Sequence, residues 1–238
     1  MLERWRIAGY IGFAALLAAQ AAFSQLNPRS WQADLSPGPL PSSRVLRLAS
    51  AGESELVATA LALRLQTFDA QAGHTIAMRT LDGERIALWL DRIAELAPAF
   101  RYPTFMASRI YASTLPPADA RRLLIWIDER FRENPQAHWA WQAFGVHIAK
   151  HRLEDLHLAR KLAASLRERA AGTTIPQWAR DLEFFLLTDL DELDAARALL
   201  GGLIDSGQLN DERALRAMVA TLEEAERRRD ADARTTQP

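Results

Sequence analysis

The sequence predicts an all-α protein, a chain of helical hairpins, and three observations carry that prediction. From Val45 onward, alanine-rich stretches with apolar residues at helical spacing follow one another, and strand-type alternation is scarce. Helix-breaking residues recur between them at Gly73, Gly83, Pro98, Pro116-Pro117, Pro135, Gly172, Pro176 and Gly207. A small-residue signature also returns four times, its lead alanines separated by 33, 39 and 37 residues.

The first element, residues 1–23, reads as a membrane signal. Arg4 and Arg6 precede Ile7 to Phe23, which holds no charged residue. As a helix these 17 residues cover roughly 26 Å, close to the ~30 Å of a bilayer core. Positive charge before the span places the N-terminus in the cytoplasm and everything after Phe23 outside it. A retained anchor, a signal peptide cut near Ala19-Gln20-Ala21, and a buried N-terminal helix are the three readings open here. The first two export the rest of the chain to the periplasmic side.

Residues 24–44 change character. Pro28, Pro37, Pro39 and Pro41 alternate with Ser, Gly and Asn, which denies both helix and sheet ladders. A semi-extended tether is the expectation.

Residues 45–229 form the expected repeat domain. Second helices read Ala87…Ile93-Ala94…Pro98, Ala120…Leu124…Ile127…Pro135, Ala159…Ala163…Leu166 and Ala196…Leu200…Leu203. First helices precede the last three, at Thr104…Ala107-Ser108…Tyr111, Trp141…Phe144-Gly145…Ile148 and Arg180…Glu183-Phe184…Leu187. A small residue lets two helices of a hairpin approach, and stacked hairpins bury the apolar face that one alone leaves open. A polar capping helix from about Asp211 to Arg229 follows, and 230–238 reads as a flexible tail.

Composition narrows the function classes. The 238 residues are 49% hydrophobic, which excludes disorder throughout. Basic and acidic residues number 29 and 30, giving no global pull toward nucleic acid. Without cysteine there is no disulfide framework, thiolate metal site or cysteine nucleophile.

Motifs for chemistry are weak. His147, His151, Glu154 and His157 have metal-like spacing, but the hairpin turn falls among them and the H-E-x-x-H glutamate is missing. Asp189, Asp191, Glu192 and Asp194 lack the glycine of a calcium loop and read as helix-capping residues. No nucleophile elbow, phosphate loop or dinucleotide fingerprint occurs. No metal or cofactor is expected.

The stretch from Trp141 to Leu166 resembles the tetratricopeptide repeat (TPR). Trp141, Gly145, Ile148, Ala159, Ala163 and Leu166 fall on its pattern once one extra loop residue is allowed. The resemblance implies a TPR-like α-solenoid of three to four hairpins whose first helices line a concave binding face. Position by position it implies Phe105 and Arg109, then Trp139, Gln142 and Val146, then Trp178, Asp181 and Phe185 as partner-binding residues. The leader, the proline tether, the run Leu40 to Leu48 and Leu96-Ala97-Pro98-Ala99-Phe100 are similar to a group of bacterial inner-membrane repeat proteins of unassigned chemistry. The expected function is a non-catalytic, membrane-tethered scaffold for a protein or peptide. A structural subunit of an envelope complex and an envelope hydrolase are the alternatives.

Overall fold

The computed structural model describes residues 13–20, 23, 34–71, 74–209 and 211–235. The chain divides into two compact units, Met1–Asp34 and Leu35–Pro238. In the first, residues 13–20 and 23 are helical, and Phe13, Leu16, Leu17 and Phe23 are exposed. The rest of the expected span lies outside the described residues, as do 24–33 of the tether. Among the described residues no helix is long and apolar enough to cross a membrane.

The second unit is all-α, with eleven α-helices among its described residues. They are α1 (Ser43–Ala49), α2 (Ser54–Gln66), α3 (Gly83–Leu96), α4 (Tyr102–Phe105) and α5 (Pro117–Glu133). Then come α6 (Pro135–His151), α7 (Leu156–Glu168), α8 (Gln177–Arg180), α9 (Leu182–Asp189), α10 (Leu193–Asp205) and α11 (Glu212–Thr235). The helix α5 packs on the segment Met106–Tyr111, α6 on α5 and α7 on α6; α9 packs on α7 and α10, and α11 covers α9 and α10.

Local chemistry sets the helix starts. Asp82, Asn134 and Asp155 accept the backbone N–H of Arg85, Ala137 and Leu158 at 2.9, 3.1 and 2.9 Å, satisfying donors that the helix leaves open. Pro117 and Pro135 stand at first helical positions, where no N–H is needed. The turns after α6 and α9 use left-handed backbone at Glu154 (φ 52°) and Asp191 (φ 57°).

The small-residue signature is mostly interior. Ala120, Ala159 and Ala196 are fully buried, whereas Ala87 is half-buried on an outer groove. A Cβ on Gly145 would meet Leu124 Cδ2 at 3.3 Å and Leu162 Cδ1 at 3.9 Å. Gly145 is therefore where α6 closely approaches both α5 and α7.

The structure departs from the sequence reading in three places. Residues 35–44 are docked rather than free: Asp82 N–H donates to the Leu35 carbonyl at 2.8 Å, and the Trp89 indole N–H donates to the Gly38 carbonyl at 2.8 Å. Pro37 is buried, and α1 starts within the expected tether at Ser43. Prolines forbid a ladder but leave carbonyls unpaired, and α3 supplies the donors. Second, Ala70–Gln71 (β1) and His74–Thr75 (β2) pair as an antiparallel ribbon ahead of a 3-10 turn at Met78–Thr80. Third, α11 continues to Thr235, so 230–235 are helical, and 236–238 lie outside the described residues. Arg227 pairs with Glu224 at 2.9 Å, one of the close pairs that support a polar helix past Leu222.

Candidate binding face

The face is built around α6. Lying between α5 and α7, it turns Gln142, Ala143, Gly145, Val146, Ile148 and Ala149 inward. At about 100° per residue, the opposite side then carries Gln136, Ala140, Phe144, His147 and His151, with Trp141 and Trp139 on its two flanks.

These side chains join those of α4. That short helix runs directly into a π-helix, Met106–Tyr111, where Ala112 N–H donates to the Ala107 carbonyl at 2.8 Å. Tyr102 stacks on Phe105 at 5.3 Å between centroids, and Phe105 meets the Trp141 ring at 5.3 Å in a T-shaped contact. The Arg109 guanidinium lies 4.0 Å over the Phe144 ring. Phe144 stacks on His147 at 5.8 Å, and His147 lies 4.7 Å from His151. On the other flank Trp139 meets Trp178 at 5.9 Å, and Trp178 is 57% exposed.

Of the eight residues selected from the sequence, Arg109 and Trp178 are exposed, and Phe105, Trp139 and Phe185 are half-buried. Phe185 leans on Phe184 of the C-terminal core. Gln142, Val146 and Asp181 are interior, at 0%, 3% and 5% exposure, and present no surface. The register taken from the repeat sets 139, 142 and 146 on the open side. Here α5 and α7 occupy that side, and the open side lies about a third of a turn away. Not selected from the sequence for this face were Tyr102, Phe144, His147 and His151, the two histidines being read there as surface residues near a turn, nor Trp141 as a flank. Their signal was available as aromatic and histidine residues at 141, 144, 147 and 151, a helical stripe.

Each interior polar group has a specific environment. Gln142 Nε2 donates to Asp128 Oδ1 at 2.7 Å and to the Leu162 carbonyl at 3.1 Å, while Arg132 pairs with the other Asp128 oxygen at 2.9 Å. Burial pushes the Asp181 carboxyl above its ordinary value, with Gln177 donating to it at 2.7 Å. Glu183, also buried, accepts from Arg167 Nε at 2.7 Å. His138 is buried with Nδ1 unpartnered; burial first, then Arg101 and Arg130, hold its pKa below the ordinary value. It lines a cleft of about 310 Å³ with Thr104, Arg130 and Asn134.

The acidic run acts through ion pairs more than caps. Asp189 pairs with Lys150 at 2.6 Å, Glu192 with Arg160, and Asp194 with Arg197 at 2.8 Å, while Glu192 makes no side-chain cap at α10. Among the described residues no three His, Asp or Glu side chains come together as a metal site.

Fold and face together define an all-α protein that displays aromatic and cationic side chains from adjacent helices. Comparisons with protein-family models, curated proteins and solved structures find no match to this chain.

Proposed function

We propose that this protein is a non-catalytic adaptor: a TPR-like stack of hairpins, held at a membrane by its first 23 residues, that receives a protein segment on the α4–α6 face. The observation that carries this reading is the cluster of half-buried aromatic rings, Phe105, Trp141 and Phe144, in which exposed Arg109 covers Phe144 at 4.0 Å, with Trp178 57% exposed on the other flank. Aromatic and arginine side chains are the usual anchors of protein interfaces. The sequence of buried Ala120, Ala159 and Ala196 at successive crossings supports the stacked-hairpin arrangement. The uncharged run Ile7 to Phe23 after Arg4 and Arg6 supports the anchor and a periplasmic domain.

Two measurements test it. A photo-cross-linking amino acid at Phe144 should form an adduct in intact cells, whereas one at exposed Lys161 should not. The adduct should vanish in an Arg109→Ala, Trp178→Ala double variant whose melting stays close to that of the parent. Asp181→Ala, altering an interior residue, should move the melt and spare the adduct. Persistence of the adduct in a normally folded double variant overturns the face. For topology, a reporter fused after Pro238 should work only outside the cytoplasm.

A second reading, a subunit buried in a larger assembly, draws on the outer groove between α3 and α5. There Leu88 and Ile125 are 54% and 43% exposed in a depression of about 350 Å³.

A further inference from the structure

We propose that the segment received on this face is acidic, a Glu- or Asp-rich stretch that also carries apolar side chains. This rests on the adaptor reading and names its partner's chemistry. The chain holds 30 acidic residues, yet Tyr102–Tyr111 and Pro135–His151 contain none. Two of the helices packed beside them differ: α3 carries Glu84, Asp91 and Glu95, and α5 carries Asp119, Asp128, Glu129 and Glu133, while α7 carries only Glu168 at its end. Carboxylates are thus absent from the two helices whose aromatics face outward.

The third contributor, α8 with α9, has carboxylates that are already engaged. Asp181 is buried beside Gln177, Glu183 is buried on Arg167 at 2.7 Å, and Asp189 is held by Lys150 at 2.6 Å. Glu154, in the turn beyond His151, is exposed.

A cation remains available. Arg109 is exposed and makes no salt bridge among the described residues; its partner is the Phe144 ring. A guanidinium lying over a ring keeps its N–H edges free, and those edges match a carboxylate with two parallel hydrogen bonds. The neighbouring Phe105, Trp141 and Phe144 supply apolar contact for the residues between the acids. A basic segment laid here would meet like charge at Arg109 and find no free carboxylate on the two helices, an arrangement that selects against it.

The test uses the full-length chain in detergent micelles and two labelled synthetic peptides, read by fluorescence anisotropy. Both peptides have the same proline, leucine and phenylalanine residues; one has glutamate at every charged position and the other lysine. The glutamate peptide should bind at least about tenfold more tightly, and its affinity should fall as salt rises. Arg109→Gln should weaken it by about tenfold, while Arg122→Gln, which removes a pair with Asp119 on α5, should leave it unchanged. Equal binding of the two peptides, preference for lysine, or no binding of either overturns the acidic chemistry. The Phe144 cross-link separates the two levels. An adduct with failure of the glutamate peptide removes only the partner's chemistry, and absence of any adduct removes the docking face as well.

Discussion

Gln142 and Asp128 share a hydrogen bond of 2.7 Å between two interior side chains, one on α6 and the other on α5. The same amide donates to the Leu162 carbonyl on α7 at 3.1 Å, so one side chain ties three helices together. Replacing Gln142 by Leu would leave Asp128 Oδ1 and that carbonyl buried without this donor. The expected cost is about 1–3 kcal/mol, measured by urea unfolding. An unchanged midpoint would show that the bond carries no net stability.

The crossing at Gly145 has little room. Leu124 Cδ2 would lie 3.3 Å from an added Cβ, so Gly145→Leu should overpack and cost about 1–3 kcal/mol or more. Lys150→Leu, five residues along the same helix, loses a surface pair with exposed Asp189 and should cost no more than about 1 kcal/mol. Thermal melts of the two variants, compared side by side, check the ranking.

His138 predicts a pH dependence. Its folded pKa is depressed, so the unfolded chain binds the proton more readily. The stability it contributes is complete above the ordinary value of 6.5 and is lost as pH falls from there through the folded value. Melting temperature should drop as pH falls below 6.5, and His138→Gln should flatten that part of the profile. A parent-like drop in the variant would assign the dependence elsewhere.

Asp82 does two jobs. It caps α3 through Arg85 N–H at 2.9 Å and accepts from the Ser36 hydroxyl at 2.7 Å, and these bonds, the backbone one first, hold its carboxyl below the ordinary range. Asp82→Ala should cost about 0.5–2 kcal/mol through the cap and also loosen residues 35–38. Limited proteolysis should then cut that segment faster than in the parent. Asp82→Asn, which keeps a capping oxygen, should remain protected, and because the native carboxyl is depressed it should lose less stability than the parent in acid below about pH 4.

Much of the architecture was legible in the sequence because helix propensity, punctuation and caps act over a few residues. Pro117, Asn134 and Pro135 mark helix starts with local chemistry alone. The docking of residues 35–44 was illegible for the opposite reason. Its hydrogen bonds join Gly38 to Trp89 and Leu35 to Asp82, positions about fifty residues apart that only packing brings together. The ribbon at Ala70–Thr75 was missed because two-residue strands give no alternation to read.

By itself the sequence determined the helical class, helix starts such as Pro117 and Pro135, and the small residue at Gly145, each a matter of spacing along one chain. Tertiary structure alone decided which side of α6 is open. A helix repeats every 3.6 residues, so moving the contact direction by about a third of a turn exchanges one residue set for another. With α5 and α7 packed against α6, Gln142 and Val146 are core and Phe144, His147 and His151 are surface. Spacing shows that a stripe exists; only the neighbouring helices show which stripe they cover.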